Sequence, residues 1–218
     1  MMILLSLPMH TVAQTSFRVG LSGGLAVPEV SHPTSYMPFH QIGRTSRKTF
    51  LAEGIAELDF DPRFSLQLTP RYLQGGSNFN GFGTSGPDYD SGEATQDFSL
   101  LEIPVLVKFR TMAGPFTPFL FAGMSVAFLL SAHEVASLPY LRNNQDRDVI
   151  DDYNSTDVRV TIGAGLELQT SPFISLFLDA AYTQGYSNIR NDNQNFGELL
   201  QVFTDNYQIS FGALYRVW

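Results

Sequence analysis

The chain has 218 residues, a formal net charge of −8 and no cysteine; 16% of its residues are charged and 13% are aromatic. The length suits a single all-β unit. The acidic balance leaves no basic patch to neutralise phosphates, which excludes nucleic acid as a main partner, and the lack of cysteine excludes a disulfide framework, a thiolate metal site and a lipid-anchored cysteine.

The amino terminus opens on an apolar run, Ile3-Leu4-Leu5-Ser6-Leu7, and carries the small residue Ala13 just before Gln14. It resembles the apolar and cleavage regions of a secretory signal peptide. No basic n-region precedes it, so residues 1–13 read as a leader truncated at its start. No later stretch approaches the ~20 apolar residues of a transmembrane helix. Past the leader, membrane insertion would have to use strands, and residues 16–218 form the remaining domain.

From Ser16 onward, runs of apolar residues alternate with polar or small ones, which is the period of a strand. Phe17, Val19, Leu21, Leu25 and Val27 share one face against Arg18, Gly20, Ser22, Gly24 and Ala26. Phe50, Ala52, Ala56, Leu58 and Phe60 oppose Glu53, Glu57 and Asp59. Phe64, Leu66, Leu68 and Tyr72 oppose Arg63, Ser65, Gln67, Thr69 and Arg71. Leu101, Ile103, Val105, Val107 and Phe109 oppose Glu102, Leu106, Lys108 and Arg110. The run Phe116 to Ser131 is the most apolar, with Leu120, Ala122, Met124, Val126, Phe128 and Leu130 as its outward set. Val158, Val160, Ile162, Ala164, Leu166 and Leu168 oppose Asp157, Arg159, Thr161, Gly163, Gly165, Glu167 and Gln169. Ile174, Leu176, Leu178, Ala180 and Tyr182 oppose Ser175, Asp179, Ala181 and Thr183. Tyr207, Ile209, Phe211, Ala213, Tyr215 and Val217 oppose Gln208, Ser210, Gly212 and Arg216. Pro70, Pro104 and Pro118 fall inside these runs, where each removes a ladder donor, and they read as bulges or strand ends.

These runs make eight strands. Short connections at 61–62, 111–115 and 170–172 alternate with long ones at 29–48, 75–96, 132–154 and 187–204. Even strand number, short periplasmic turns and long extracellular loops describe a bacterial outer-membrane barrel. A soluble barrel would alternate too, with its polar face outward. Here the polar face carries few charges, of both signs, among Gly, Ser and Ala. That suits a narrow lumen better than a soluble surface, where ~25–35% of residues would be charged. Aromatics gather near the strand ends of the apolar face, as interfacial girdles do. The expectation is an all-β, eight-stranded, antiparallel up-and-down transmembrane β-barrel in a bacterial outer membrane, in contact with its lipid and monomeric.

The charges on the inward face form the candidate site: Arg18, Glu53, Glu57, Arg63, Arg71, Glu102, Lys108, Arg159, Glu167, Asp179 and Arg216, with Asp59 and Arg110 on the same face. Eight strands enclose little more than their own side chains, and unpaired buried charge is costly. The lumen should therefore be plugged by ion pairs, such as Arg71 with Glu102 or Arg159 with Asp179. Nothing points to a cofactor or a metal. His10, His32, His40 and His133 lack a ligand motif. Asp146, Asp148, Asp151 and Asp152 lack the glycine and terminal glutamate of an EF-hand loop. His133, with Ser131 and Glu134 nearby, is the one candidate for a lipid-modifying site. Adjacent strand residues face opposite ways, so Glu134 cannot orient it, and the expectation is no catalytic residue.

The stretch Leu101-Glu102-Ile103-Pro104-Val105-Leu106-Val107-Lys108 resembles the "LEIPLLLK" strand of the PorT-like outer-membrane barrels of Bacteroidetes. Pro118 to Gly123 resembles that family's "P-Y-x-x-x-G" strand, and Ala13-Gln14 its leader cleavage sites. The resemblance implies an outer-membrane barrel with a link to type IX secretion. One departure is Trp218, which lies out of phase with Tyr215 and Val217, whereas such barrels often end on an aromatic in the lipid-facing phase. The functional expectation is a non-enzymatic envelope protein whose long outer loops meet a protein partner. The alternatives are a narrow channel or small-solute transporter and, behind it, a lipid-modifying enzyme.

Overall fold

The computed structural model describes residues 15–31, 43–46, 48–82, 92–111, 114–137, 145–148, 150–152, 154–187 and 203–218. The leader expected at 1–13, and His10, His32 and His40, lie outside them. The strands in chain order are β1 (Ser16–Ser31), β2 (Gly43–Ser46), β3 (Thr49–Asp59), β4 (Phe64–Leu68), β5 (Arg71–Phe82), β6 (Gly92–Arg110), β7 (Phe116–Ser137), β8 (Gln145–Asp148), β9 (Thr156–Gln169), β10 (Ile174–Gly185) and β11 (Phe203–Arg216). All pair antiparallel, and β1 pairs with both β3 and β11, which closes the sheet on itself. β4 and β5 are two halves of one stave between β3 and β6. β2 and β8 add only short pairings to the outer ends of β5 and β7. The barrel wall is thus the eight-stranded one expected.

The phase of every stave agrees with the alternation in the sequence. Leu21, Phe50, Val107, Met124, Ile162 and Ile209 are exposed on the outer wall, while Glu57, Glu102, Thr161 and Thr183 are wholly buried within. This is the reverse of a soluble protein, and it places a hydrocarbon-facing surface outside and a polar one inside. Aromatics ring both ends. Phe17 stacks on Trp218 at 5.0 Å, Phe64 meets Phe109 at 5.0 Å, and Phe173 stacks on Tyr215 at 6.4 Å at the short-turn end. Tyr182 meets Tyr207 at 4.9 Å toward the other end. Trp218 joins its girdle just past the last ladder bond, which Val217 N donates to Phe17 O at 2.8 Å.

Short turns hold themselves with local side chains. Asp61 Oδ1 accepts from the backbone N–H groups of Arg63 (2.6 Å) and Phe64 (2.9 Å). Ser171 Oγ does the same for Ile174 (3.0 Å). Such Asx and Ser turns replace backbone pairing where the chain reverses.

The prolines lie where a neighbour has already stopped. Pro104 O accepts from Thr69 N (3.1 Å), so the N–H that Pro104 lacks faces the break between β4 and β5, at Pro70. Pro118 O accepts from Thr111 N (3.0 Å), just past the end of β6. In an antiparallel ladder the N–H and C=O of one residue face the same neighbour, so each missing donor costs little. The third stave, expected as one run, is therefore split at Thr69–Pro70.

The long connections are shorter than expected. β5 runs to Phe82 and β6 starts at Gly92, so the expected loop at 75–96 is mostly hairpin. Ser77 pairs with Gln96, Asn78 with Thr95 and Asn80 with Glu93. Apart from Phe79 and its partner Ala94 the residues there are polar on both faces, which blurs the period-two signal that marks a half-buried strand. A bulge at Leu130 shifts β7 against β6 between Ser99 and Leu100.

Glycines open the lumen for aromatic rings. Phe119 pairs with Gly165, Phe121 with Gly163, and Phe177 with Gly212. A Cβ at Gly212 would stand 2.5 Å from Phe177 Cζ. Gly212→Val should lower the urea midpoint of unfolding, by roughly 1–3 kcal/mol for overpacking. Phe177→Leu in the same chain should recover part of that loss; a G212V midpoint equal to wild type would show that the ring is not fixed against the glycine.

Candidate functional site

Inward-facing side chains fill the barrel in layers. At the short-turn end, three cations and three carboxylates meet. Arg18 of β1 pairs with Glu57 (2.6 Å), Asp59 (3.1 Å) and Glu167 (2.5 Å). Arg110 of β6 reaches Asp59 (3.0 Å), Glu167 (3.5 Å) and Glu57. Lys108 reaches Glu57 (3.5 Å) and Glu167 (3.0 Å). Ser65 and Ser16 donate to Glu57 and Asp59, each at 2.6 Å. The cluster is neutral overall and ties β1, β3, β4, β6 and β9 across the lumen.

Above it lies an apolar layer of Ile55, Leu106, Phe119, Phe121, Phe177, Ala181 and Leu214. Lys108 Nζ stands 4.0 Å from the centre of the Phe119 ring, so the cation joins the ionic layer to the aromatic one. Asp179 lines a cavity of about 20 Å³ here, with Glu53, Arg71 and Lys108 among its neighbours. That is room for about one water.

A second polar cluster follows. Arg71 binds Glu102 in a fork, through Nε (3.1 Å) and Nη2 (2.9 Å), and reaches Glu53 (3.4 Å). Gln208 and Thr183 complete its shell at 2.6 and 3.2 Å. Arg159 binds Asp157 (2.8 Å) and approaches Glu102 (3.5 Å). Ser22 donates to Glu53 and Ser125 to Glu102. Every stave contributes to this cluster.

Arg18, Glu53, Glu57, Arg71, Glu102, Lys108, Arg159 and Glu167 lie in the lumen and are paired, and Arg71 and Glu102 are direct cross-strand partners. Arg63 and Arg216 require correction. Both keep the inward phase but are exposed at the short-turn rim, Arg63 in the turn before β4 and Arg216 as the last residue of β11, and they join neither cluster. The expected Arg159–Asp179 pair also does not form. Arg159 lies opposite Gly185 and Asp179 opposite Gly165, several residues apart along the wall. Asp179 instead accepts from Ser210 (2.5 Å) and has no ion pair among the described residues.

Known proteins place this architecture. The family described as outer membrane protein beta-barrel domain matches residues 12–191. The chain belongs to that family. It is an integral barrel of the bacterial outer membrane. Among solved structures, it is similar to Neisserial surface protein A, at 14% identity and a TM-score of 0.51, covering 93% of this chain and 98% of that one. It is similar to OprG from Pseudomonas aeruginosa, at 12% identity and a TM-score of 0.52, covering 94% of this chain and 97% of that one. Such low identities establish the shared fold alone. A search of curated proteins finds no match.

The sequence reading did not single out Phe119, Phe121 and Phe177 as lumen fillers. The signal was the Gly163-x-Gly165 spacing against Phe119-x-Phe121, which is readable only once the β7–β9 register is known. On the outer wall, His133 is exposed and pairs across the ladder with Asp97 on β6 and Asp148 on β8. Among the described residues it makes no hydrogen bond to Ser131. No group of three His, Cys, Asp or Glu among them could hold a metal.

Glu57 is the hub of the lower cluster, so Glu57→Gln leaves Arg18, Arg110 and Lys108 short of one charge. Breaking a buried pair in this way costs about 3–5 kcal/mol, whereas Arg63→Ala and Arg216→Ala, at exposed positions, should stay within about 0.5 kcal/mol. Urea titration of the three variants in detergent, followed by tryptophan fluorescence, tests that ranking.

Proposed function

We propose that this protein is a non-enzymatic envelope component, a rigid barrel with a side-chain-plugged lumen that presents its outer loops to a surface or envelope partner. The observation that carries the reading is the stacking of a buried ionic cluster, an aromatic layer and a second ionic cluster along one lumen. A hydrated ion would have to part both clusters and the rings between them. Binding residues on loops held by a rigid scaffold are a common division of labour. The likeness of Leu101 to Lys108 to a strand of the PorT-like barrels supports a role beside secretion machinery.

A narrow channel is the second reading, favoured by the polar lining itself. Planar-bilayer recording separates the two. Wild-type protein should add no steady current steps, whereas the triple variant Phe119→Ala, Phe121→Ala, Phe177→Ala should conduct. Steady steps from wild type would overturn the plugged barrel.

A lipid-modifying enzyme would need His133. Lipid A from cells that express the protein should have the same mass spectrum as lipid A from cells that do not, and His133→Ala should change nothing. A mass shift that H133A abolished would make the protein an enzyme.

A further inference from the structure

We propose that the long-loop end of the lumen binds a small uncharged molecule with a compact apolar body and an amide head. This goes beyond the envelope role above, which needs no ligand in the barrel. Beyond the Arg71–Glu102 cluster the lumen holds a cavity of about 50 Å³. One water needs ~10–15 Å³, so the space suits several waters or a molecule of a few non-hydrogen atoms. Its walls are mostly apolar, from Ala26, Leu73, Phe98, Leu100, Ala127 and Leu129. Waters there would find few partners, which favours an apolar occupant.

The polar groups of the site define the head. Arg159 is 2% exposed and Asn206 3%, and both line the cavity. Arg159 Nη2 and Asn206 Oδ1 are buried without a hydrogen-bond partner among the described residues. Leaving such atoms unmet forfeits the hydrogen bonds they made to water in the unfolded chain. One is a donor and the other an acceptor, so the complementary head carries one acceptor and one N–H. Charge argues against an ion. Arg159 is already shared by Asp157 and Glu102, and Asp205 also lines the cavity, so an added carboxylate would meet an excess of negative charge. An ammonium would meet the Arg159 guanidinium. A primary amide offers C=O to Arg159 and N–H to Asn206 with no charge to desolvate.

The test uses the full chain in lipid nanodiscs, titrated with 2-methylpropanamide and, separately, with 2-methylpropanoate at neutral pH, with backbone amide signals read by NMR. The amide should shift signals of Leu73, Ala127 and Asn206 saturably, and the carboxylate should bind at least about ten-fold more weakly. Ala127→Leu and Ala26→Leu each fill the cavity, and Asn206→Leu removes the acceptor; each should weaken the amide about ten-fold or more. A heat-modifiable gel band shows that each variant is folded, and the comparison of the two ligands on wild type needs no variant at all. No saturable shift with the amide, equal affinity for the carboxylate, or wild-type affinity in a folded cavity-filled variant would each overturn the proposal.

Discussion

The pairing of β1 with β11 over the whole wall, from Arg18 opposite Arg216 to Ser31 opposite Phe203, leaves no barrel edge open to hydrocarbon. In a bilayer core each unpaired N–H or C=O would cost several kcal/mol, so a sheet can cross only when closed. Closure with eight staves also fixes the inner diameter at little more than two side chains. Whatever faces inward must therefore fill the space and satisfy itself without bulk water. The ionic clusters, the phenylalanine layer and the glycines that admit it are answers to that one geometric limit.

A lumen could in principle be filled with apolar side chains, and replacing buried ion pairs by such residues is often neutral or stabilising. The charges do something else. Shifting a strand by one residue turns its inner set outward. In β6 that would carry Glu102, Lys108 and Arg110 toward lipid, where basic side chains at the midplane cost roughly 2–4 kcal/mol each. The same residues in register reach partners on β3, β5 and β9. The ion pairs thus add little stability of their own and make every wrong register expensive, which suits a wall whose outer face is uniformly apolar.

Much of this was legible in the sequence because a period of two with a charged inner face has few other meanings. The stave count and the phases follow from it; the register does not, so of two pairs suggested by strand adjacency Arg71–Glu102 forms and Arg159–Asp179 does not. Three further kinds of feature do not follow. Polar hairpin extensions such as Ser77 to Asn80 carry no face to detect. Contacts between non-neighbouring staves, such as Arg18 with Glu167, depend on barrel closure, which alternation does not encode. Strand ends were the third. Phase alone put Arg63 and Arg216 inside, yet phase says nothing of where the wall stops: Arg63 lies in the turn before β4 and Arg216 is the last residue of β11, and both are exposed.

The two clusters also differ in how completely they are closed. The lower one balances three cations against three carboxylates, and Arg18 and Arg110 each touch all of the latter. The upper one sets Arg71 and Arg159 against Glu53, Glu102 and Asp157, and makes up the difference with neutral donors from Ser22 and Ser125. Neutral hydrogen bonds are weaker than charge-assisted ones, so the upper cluster is the looser closure. It is also where Arg159 and Asn206 retain unmet polar atoms beside an apolar cavity. The short-turn end of the plug balances its charges one for one, while the long-loop end carries one carboxylate more than its cations and opens onto the apolar cavity.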